Sequence, residues 1–201
     1  DLKTWTLRLR KDVKWHNGRQ FTADDVVWNL KRVLDAKVGS STVGLMKDFL
    51  LKEIETAEKD AKGNPKKSTE LWDANAIEKK DDFTVVLNGK AAQIAIPEHL
   101  YHYPLMIMDP AENGEFKVGS NGTGAFSMTE NEVGRRQVFK ARPGYWGGGP
   151  YLDTLEIVDL GDEVAAKIAA MASKQVDALY LGEIAMLEAM KGLPHVQLYD
   201  S

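Results

Sequence analysis

Residues 4–34 read TWTLRLRKDVKWHNGRQFTADDVVWNLKRVL, and the order of residue types in this stretch sets the fold class. Trp5, Leu7 and Leu9 alternate with Thr6, Arg8 and Arg10, the two-residue period of a strand with one apolar face. Trp15-His16-Asn17-Gly18 then turns the chain, because Asn-Gly adopts positive φ at little cost. Thr22 can cap a helix whose positive first turn holds Asp24 and Asp25. Asp at the third position closes a capping box less well than Glu. Val26, Val27, Leu30, Val33 and Leu34 follow at helical spacing, with Lys31 and Arg32 near the C-terminal end, where the macrodipole favours cations. The stretch is thus predicted as a strand, a turn and a capped amphipathic helix.

The same periods carry the reading outward. Leu45, Met46, Phe49 and Leu50 give residues 43–51 a helical spacing, while 51–57 alternates enough to begin a strand. The charged run 58–69, turning at Gly63-Asn64-Pro65, is expected to be an exposed loop or hairpin tip. Residues 74–79 and 83–87 flank Asp81-Asp82 as a hairpin. Residues 91–100 are expected to be helical with Pro97 as a breaker, 101–109 an apolar strand, and 111–120 a loop. Paired strands at 126–128 and 136–141 precede a Gly/Pro-rich connection at 142–151. A strand at 155–158, a helix at 163–171, a strand at 176–180, a helix at 184–190 and a strand at 195–199 complete a mixed α/β chain. A division into two regions is expected within 110–122, where the composition is that of a loop.

Bulk composition excludes several classes. At 201 residues the chain is long enough for one large or two small domains, and 43% apolar with 28% charged residues is ordinary for a globular protein. A net charge of −4 argues against a nucleic-acid surface, and no apolar run approaches membrane-spanning length. The absence of cysteine excludes disulfides and thiol catalysis. No Gly-x-Ser-x-Gly, His-Glu-x-x-His or phosphate-loop motif occurs, so neither an enzyme nor a cofactor is predicted. Asp24-Asp25 and Asp81-Asp82 are read as a helix N-terminus and a turn rather than as catalytic carboxylates. His99 and His102 are spaced as metal ligands on a helix but lack a nearby third, so they are read as structural.

The run LRLRKDVKWHNGRQFTADDVVWNLKRV resembles the signature of the family 5 extracytoplasmic solute-binding proteins, the dipeptide-, oligopeptide- and nickel-binding receptors of ABC importers. Leu9-Arg10, Trp15, Gly18 and Ala23-Asp24-Asp25-Val26 stand in the family's order, and Asp82-Phe83-Thr84-Val85-Val86-Leu87 is similar to its hairpin. In the second half, Gly122-Thr123-Gly124, Tyr145-Trp146, Leu152-Asp153 and Val176-Asp177 repeat the order. Three departures stand out: Ala125 replaces Pro, Arg142-Pro143-Gly144 replaces Asn-x-x, and Lys174-Gln175 replaces Gly-Glu before Val176.

The resemblance implies a periplasmic binding protein-like type II fold of which this chain is a partial first lobe. Residues 1–109 would be an inserted subdomain and 110–201 part of the lobe core, without the N-terminal core strand and the second lobe. It implies a periplasmic or extracytoplasmic receptor, with or without a lipid anchor, that encloses a peptide between two lobes and delivers it to permease subunits. Nickel chelates, sugars and opines are the other ligands of the family. The competing reading is the ligand-sensing module of a transcription regulator, which an upstream helix-turn-helix would decide.

Three stretches are expected to line the ligand: Leu45-Met46, the run holding Tyr103 and Met106, and the turn Gly122-Thr123-Gly124. Each lies at an irregular join and mixes apolar surface with backbone groups, as a tolerant peptide site requires. Two readings stay open for the glycines: a sharp return of the chain, or close approach of backbone to ligand. Tyr101, Tyr103 and Met106 are either sheet core or an aromatic shelf. Tyr145-Trp146 is read as packing that holds a loop to the core rather than as a ligand platform.

Overall fold

In the computed structural model, which describes residues 1–179 and 184–199, the stretch quoted first folds as strand β1 (Thr4–Arg8), a turn and helix α1 (Ala23–Leu34). β1 runs antiparallel to β5 (Thr84–Asn88), which pairs on its other side with β4 (Ile77–Asp81). The register sets Trp5 opposite Leu87, Leu7 opposite Val85 and Ile77 opposite Leu87, so the apolar residues of all three strands share one face. α1 covers that face with Val26, Leu30 and Val33 buried against it. Its start is fixed by the β4–β5 turn: the Ala23 N–H donates to the Asp82 carbonyl at 2.8 Å. The Lys79 ammonium, held by Asp24 at 2.7 Å and Asp82 at 2.8 Å, ties the same turn to the helix N-terminus.

α2 (Thr42–Leu50) passes directly into β2 (Leu51–Lys59), so both readings of this region hold, one after the other. Phe49 enters the core beside Gly89, where a Cβ would lie 1.9 Å from the Phe49 ring. β2 pairs with β3 (Pro65–Leu71), and the expected exposed loop over 58–69 shrinks to the tip at 60–64. The ribbon is solvated on both faces and laced by pairs such as Lys52–Glu70 and Lys66–Glu58. It therefore lacks the apolar alternation that marks a half-buried strand.

α3 (Ile96–Tyr101) carries Pro97 in its first turn rather than breaking there, because a proline at that position forgoes no helical hydrogen bond. The strand expected at 101–109 is absent: a 3-10 turn (Tyr103–Leu105) occupies its middle. Pro104 donates no N–H to a ladder, and the backbone of Met108 pairs with the Asn29 side chain instead of a strand. The chain divides into two units, Asp1–Ser127 with Arg142–Gly149 as one and the remainder as the other. The break therefore falls after Ser127, not within 110–122. Residues 109–124 stay with the first unit because Asp109, Glu112, Asn121, Gly122 and Gly124 are hydrogen-bonded to it or to one another.

The second unit holds β6 (Phe126–Glu132) from Met128 onward, β7 (Arg136–Ala141) and β8 (Thr154–Val158), which form a sheet in that order, followed by α4 (Val164–Ala172) and α5 (Ile184–Lys191). The strands expected at 176–180 and 195–199 do not form among the described residues: these segments have no ladder partner there, and Tyr180 lies outside the described residues.

α4 ends in a Schellman motif, with the Gln175 N–H donating to the Ala170 carbonyl at 2.8 Å and the Lys174 N–H to that of Met171 at 3.1 Å. The motif needs a left-handed residue, and Lys174 supplies it at φ +60°. This is the position where the family pattern carries glycine. A lysine there costs about 1 kcal/mol that glycine does not. Lys174→Gly is therefore expected to stabilise the chain by about 0.5–1 kcal/mol, read as a higher urea midpoint with an unchanged slope.

Candidate functional site

The most elaborate polar arrangement of the first unit grows from the turn between β1 and α1. The Asp25 carboxylate, buried on the first turn of α1, accepts from the Thr22 N–H at 2.9 Å, which closes the capping box. It also accepts from the indole N–H of fully buried Trp15 at 3.1 Å and from the Arg19 guanidinium at 2.9 Å. The other arm of Arg19 reaches Asp109, also buried, at 2.8 Å, while the guanidinium lies 5.0 Å from the centre of the Trp15 ring.

Asp109 is completed by the Ala111 N–H at 3.0 Å and the side-chain amide of Asn121. Burial pushes its carboxyl up, but the bonds from Asn121 and Ala111 and the Arg19 charge outweigh this and hold it below the ordinary carboxylate value. One turn further along α1, Asn29 donates to the Met108 carbonyl at 2.7 Å and accepts from the Met108 N–H at 3.0 Å.

This frame shapes the turn Gly122-Thr123-Gly124. The Asn17 N–H donates to Asn121 Oδ1 at 3.0 Å, and the His16 N–H to the Gly122 carbonyl at 2.8 Å. The Gly124 carbonyl faces His16 Nε2 at 3.1 Å, and the Ser127 hydroxyl faces Nδ1 at 2.9 Å. A carbonyl only accepts, so Nε2 carries the proton and Nδ1 accepts from Ser127. Trp146 donates its indole N–H to the Thr123 carbonyl at 2.9 Å and lies under the Arg10 guanidinium at 4.8 Å. Its role as a clamp on a loop is the packing role read from the sequence. Arg142, the departure from Asn, donates to the Trp15 carbonyl at 3.1 Å.

The expected ligand-lining residues fare differently. Met46 is fully buried in the core with Phe49 and Leu50, so its side chain is withdrawn from any cleft; the helical spacing that singled it out is the spacing of core residues. Leu45 is half-buried. Tyr103 and Met106 are 72% and 70% exposed, which removes the sheet-core reading and leaves both side chains open to a ligand. At Gly122, Thr123 and Gly124 the carbonyls are taken up by His16 and Trp146, whereas the N–H groups have no protein acceptor among the described residues. Of the free backbone groups expected at the turn, the N–H donors remain and the carbonyls are engaged.

In the second unit a cavity of about 610 Å³ is lined by Met171, Val176, Leu179, Met190 and His195 among others, and none of the sequence-predicted residues lines it. Among the described residues no group of three or more potential metal ligands is gathered, and no helix is long and apolar enough to cross a membrane.

The family model described as bacterial extracellular solute-binding proteins, family 5 middle, matches residues 1–201, and the chain belongs to that family. It is 30% identical over 152 residues to the periplasmic oligopeptide-binding protein OppA of Haemophilus influenzae, a match covering 73% of this chain and 27% of that protein. It is 26% identical over 218 residues to the dipeptide-binding protein of Escherichia coli, covering 100% of this chain and 37% of the relative. The chain thus spans about a third of the length of such relatives. Among solved structures, NikZ from Campylobacter jejuni in complex with Ni(L-His) shares the fold with a TM-score of 0.70 at 21% identity, over 96% of this chain and 34% of that one. The family is one of binding proteins rather than enzymes.

His16 gives the turn a pH dependence. Burial lowers its pKa, the Gly124 carbonyl raises it and the Arg142 charge lowers it, and the net value lies below the ordinary 6.5. As pH falls, the unfolded chain takes up this proton first, so the contribution is complete above pH 6.5 and is lost as pH drops toward the folded value. Urea midpoints are expected to fall as pH is lowered through 6.5 in the native chain and to fall less in His16→Gln. Equal slopes in the two proteins would remove His16 as the cause.

Proposed function

We propose that the chain is part of the first lobe of the substrate-binding component of an ABC importer, working outside the cytoplasmic membrane and taking peptides. The match of the family model to every residue of the chain carries this reading. The relatives' printed functions support it: oligopeptide-binding, dipeptide-binding, and a probable peptide ABC transporter periplasmic-binding protein from Sinorhizobium fredii. In this reading residues up to Ser127 supply an inserted subdomain, and the later strands and helices supply part of the lobe core. Closure of a second lobe would bury the ligand and shift an existing open–closed equilibrium before docking on permease subunits.

The geometry supports peptides in one particular way. The N–H groups of Gly122, Thr123 and Gly124 suit carbonyl or carboxylate oxygens, which every peptide carries irrespective of its side chains. Tyr103 and Met106 offer an aromatic face and a deformable thioether, which tolerate side chains of several shapes.

Calorimetry of the full-length protein against dipeptides and oligopeptides tests the reading. Saturable binding is expected from the full-length protein, and none at micromolar affinity or tighter from the 201-residue chain alone, because one side of a cleft cannot bury most of a ligand. Tyr103→Ala in the full-length protein is expected to weaken binding by about 1–2 kcal/mol without lowering the unfolding midpoint. Failure of the full-length protein to bind any peptide, with native mass spectrometry showing a different co-purified solute, would contradict the peptide assignment.

A further inference from the structure

The sequence holds four Asn-Gly steps: Asn17-Gly18, Asn88-Gly89, Asn113-Gly114 and Asn121-Gly122. Asn-Gly is the step most open to spontaneous ring closure, because glycine leaves the following backbone nitrogen unshielded. Reaction needs a side-chain amide free to swing onto the backbone and a following N–H free to lose its proton. The structure separates the four on these criteria.

At Asn17 both are tied up: its side-chain oxygen accepts from the Arg19 N–H at 3.0 Å, and the Gly18 N–H donates to the Trp15 carbonyl at 2.9 Å. At Asn88 the side-chain amide donates to the Asn75 carbonyl at 2.7 Å and the Gly89 N–H to the Lys3 carbonyl at 2.7 Å. The side chain of Asn121 is held at both ends, by Asp109 and by the Asn17 N–H. Asn113 differs. It is exposed, and among the described residues neither its side chain nor the Gly114 N–H has a hydrogen-bond partner. It sits in the left-handed region at φ 53°, ψ 27°, on an exposed turn, a conformation that asparagine adopts more readily than other side-chain-bearing residues.

We propose that Asn113 is a modification site, the one Asn-Gly step of this chain that deamidates while the protein is folded. The Gly114 nitrogen attacks the Asn113 side-chain carbonyl carbon. A carbon–nitrogen bond forms, the Gly114 proton and the side-chain amine leave as ammonia, and a succinimide remains. Water then opens the ring: attack at the former side-chain carbonyl gives aspartate, and attack at the former backbone carbonyl gives isoaspartate.

The product carries a new carboxylate between Glu112 and Glu115, and the isoaspartate form adds a methylene to the backbone. Glu112 accepts the Asn121 N–H at 2.9 Å, so the change falls beside the latch that positions the turn at 122–124.

The full-length protein is incubated in mildly alkaline buffer, folded in one arm and denatured in the other, and the peptides of this chain are mapped by mass spectrometry. In the folded arm the Asn113 peptide is expected to gain the acid form, with isoaspartate in excess, while Asn17, Asn88 and Asn121 keep their amides. In the denatured arm all four convert. Retention of the Asn113 amide in the folded arm, or conversion of any other step as fast as Asn113, overturns the proposal. The Asn113→Gln variant, with a longer side chain that closes the ring far more slowly, is expected to lose the folded-arm conversion entirely.

Discussion

The Arg19 guanidinium, shared between two buried carboxylates, is the interaction on which the first unit depends. Asp25 and Asp109 are each 2% exposed, and removing a carboxylate from water costs several kcal/mol unless hydrogen bonds and an opposite charge offset it. Here each carboxylate gains a backbone N–H, a neutral side-chain donor and one arm of the same arginine. Because the Arg19 side chain is 41% exposed, solvent screens part of its charge. Its larger role is geometric: a planar fork fixes the separation and orientation of two acids that lie 84 residues apart, 25 against 109, in the chain.

That constraint gives Trp15 and Asp25, two residues of the quoted family pattern, a structural role in this chain. Buried Trp15 and Asp25, joined by half-exposed Arg19, are the frame against which residues 108–124 are folded. Once that segment is fixed, His16 and Trp146 take up the carbonyls of the turn at 122–124 and leave its N–H groups pointing elsewhere. The latch thus leaves the turn presenting N–H groups that have no protein acceptor among the described residues. The departures from the family pattern sit on the same frame or bear their own cost: Arg142 binds the Trp15 carbonyl, and Lys174 occupies a glycine conformation.

Much of the fold was legible because its elements follow a clean period. The alternation at Trp5, Leu7 and Leu9 and the helical stripe at Val26, Leu30 and Val33 lead straight to β1 and α1. The β2–β3 ribbon was only half legible, since charged residues on both faces of β3 erase the two-residue signal. Met46 misled because helical spacing reports burial in the core, not exposure to a ligand. The latch escaped because its partners are distant in sequence, and Asp25 was already explained by the helix N-terminus. One cue was present: Asp25 and Asn29, four apart on α1, flank the buried stripe of Val26 and Leu30, where polar side chains must find buried partners.

The coupling between Arg19 and Asp109 is the most direct measure of the latch. A double-mutant cycle of Arg19→Met and Asp109→Asn, read by urea unfolding, isolates it from the separate effects of each change. The latch predicts that the pair is coupled by more than about 1 kcal/mol, because either single change already removes their charge-assisted bond and the second then has no such bond to break. Additivity of the two single changes within about 0.3–0.5 kcal/mol would contradict it, and residues 108–124 would then owe their position to their other contacts, such as Asn29 with Met108 and Asn17 with Asn121.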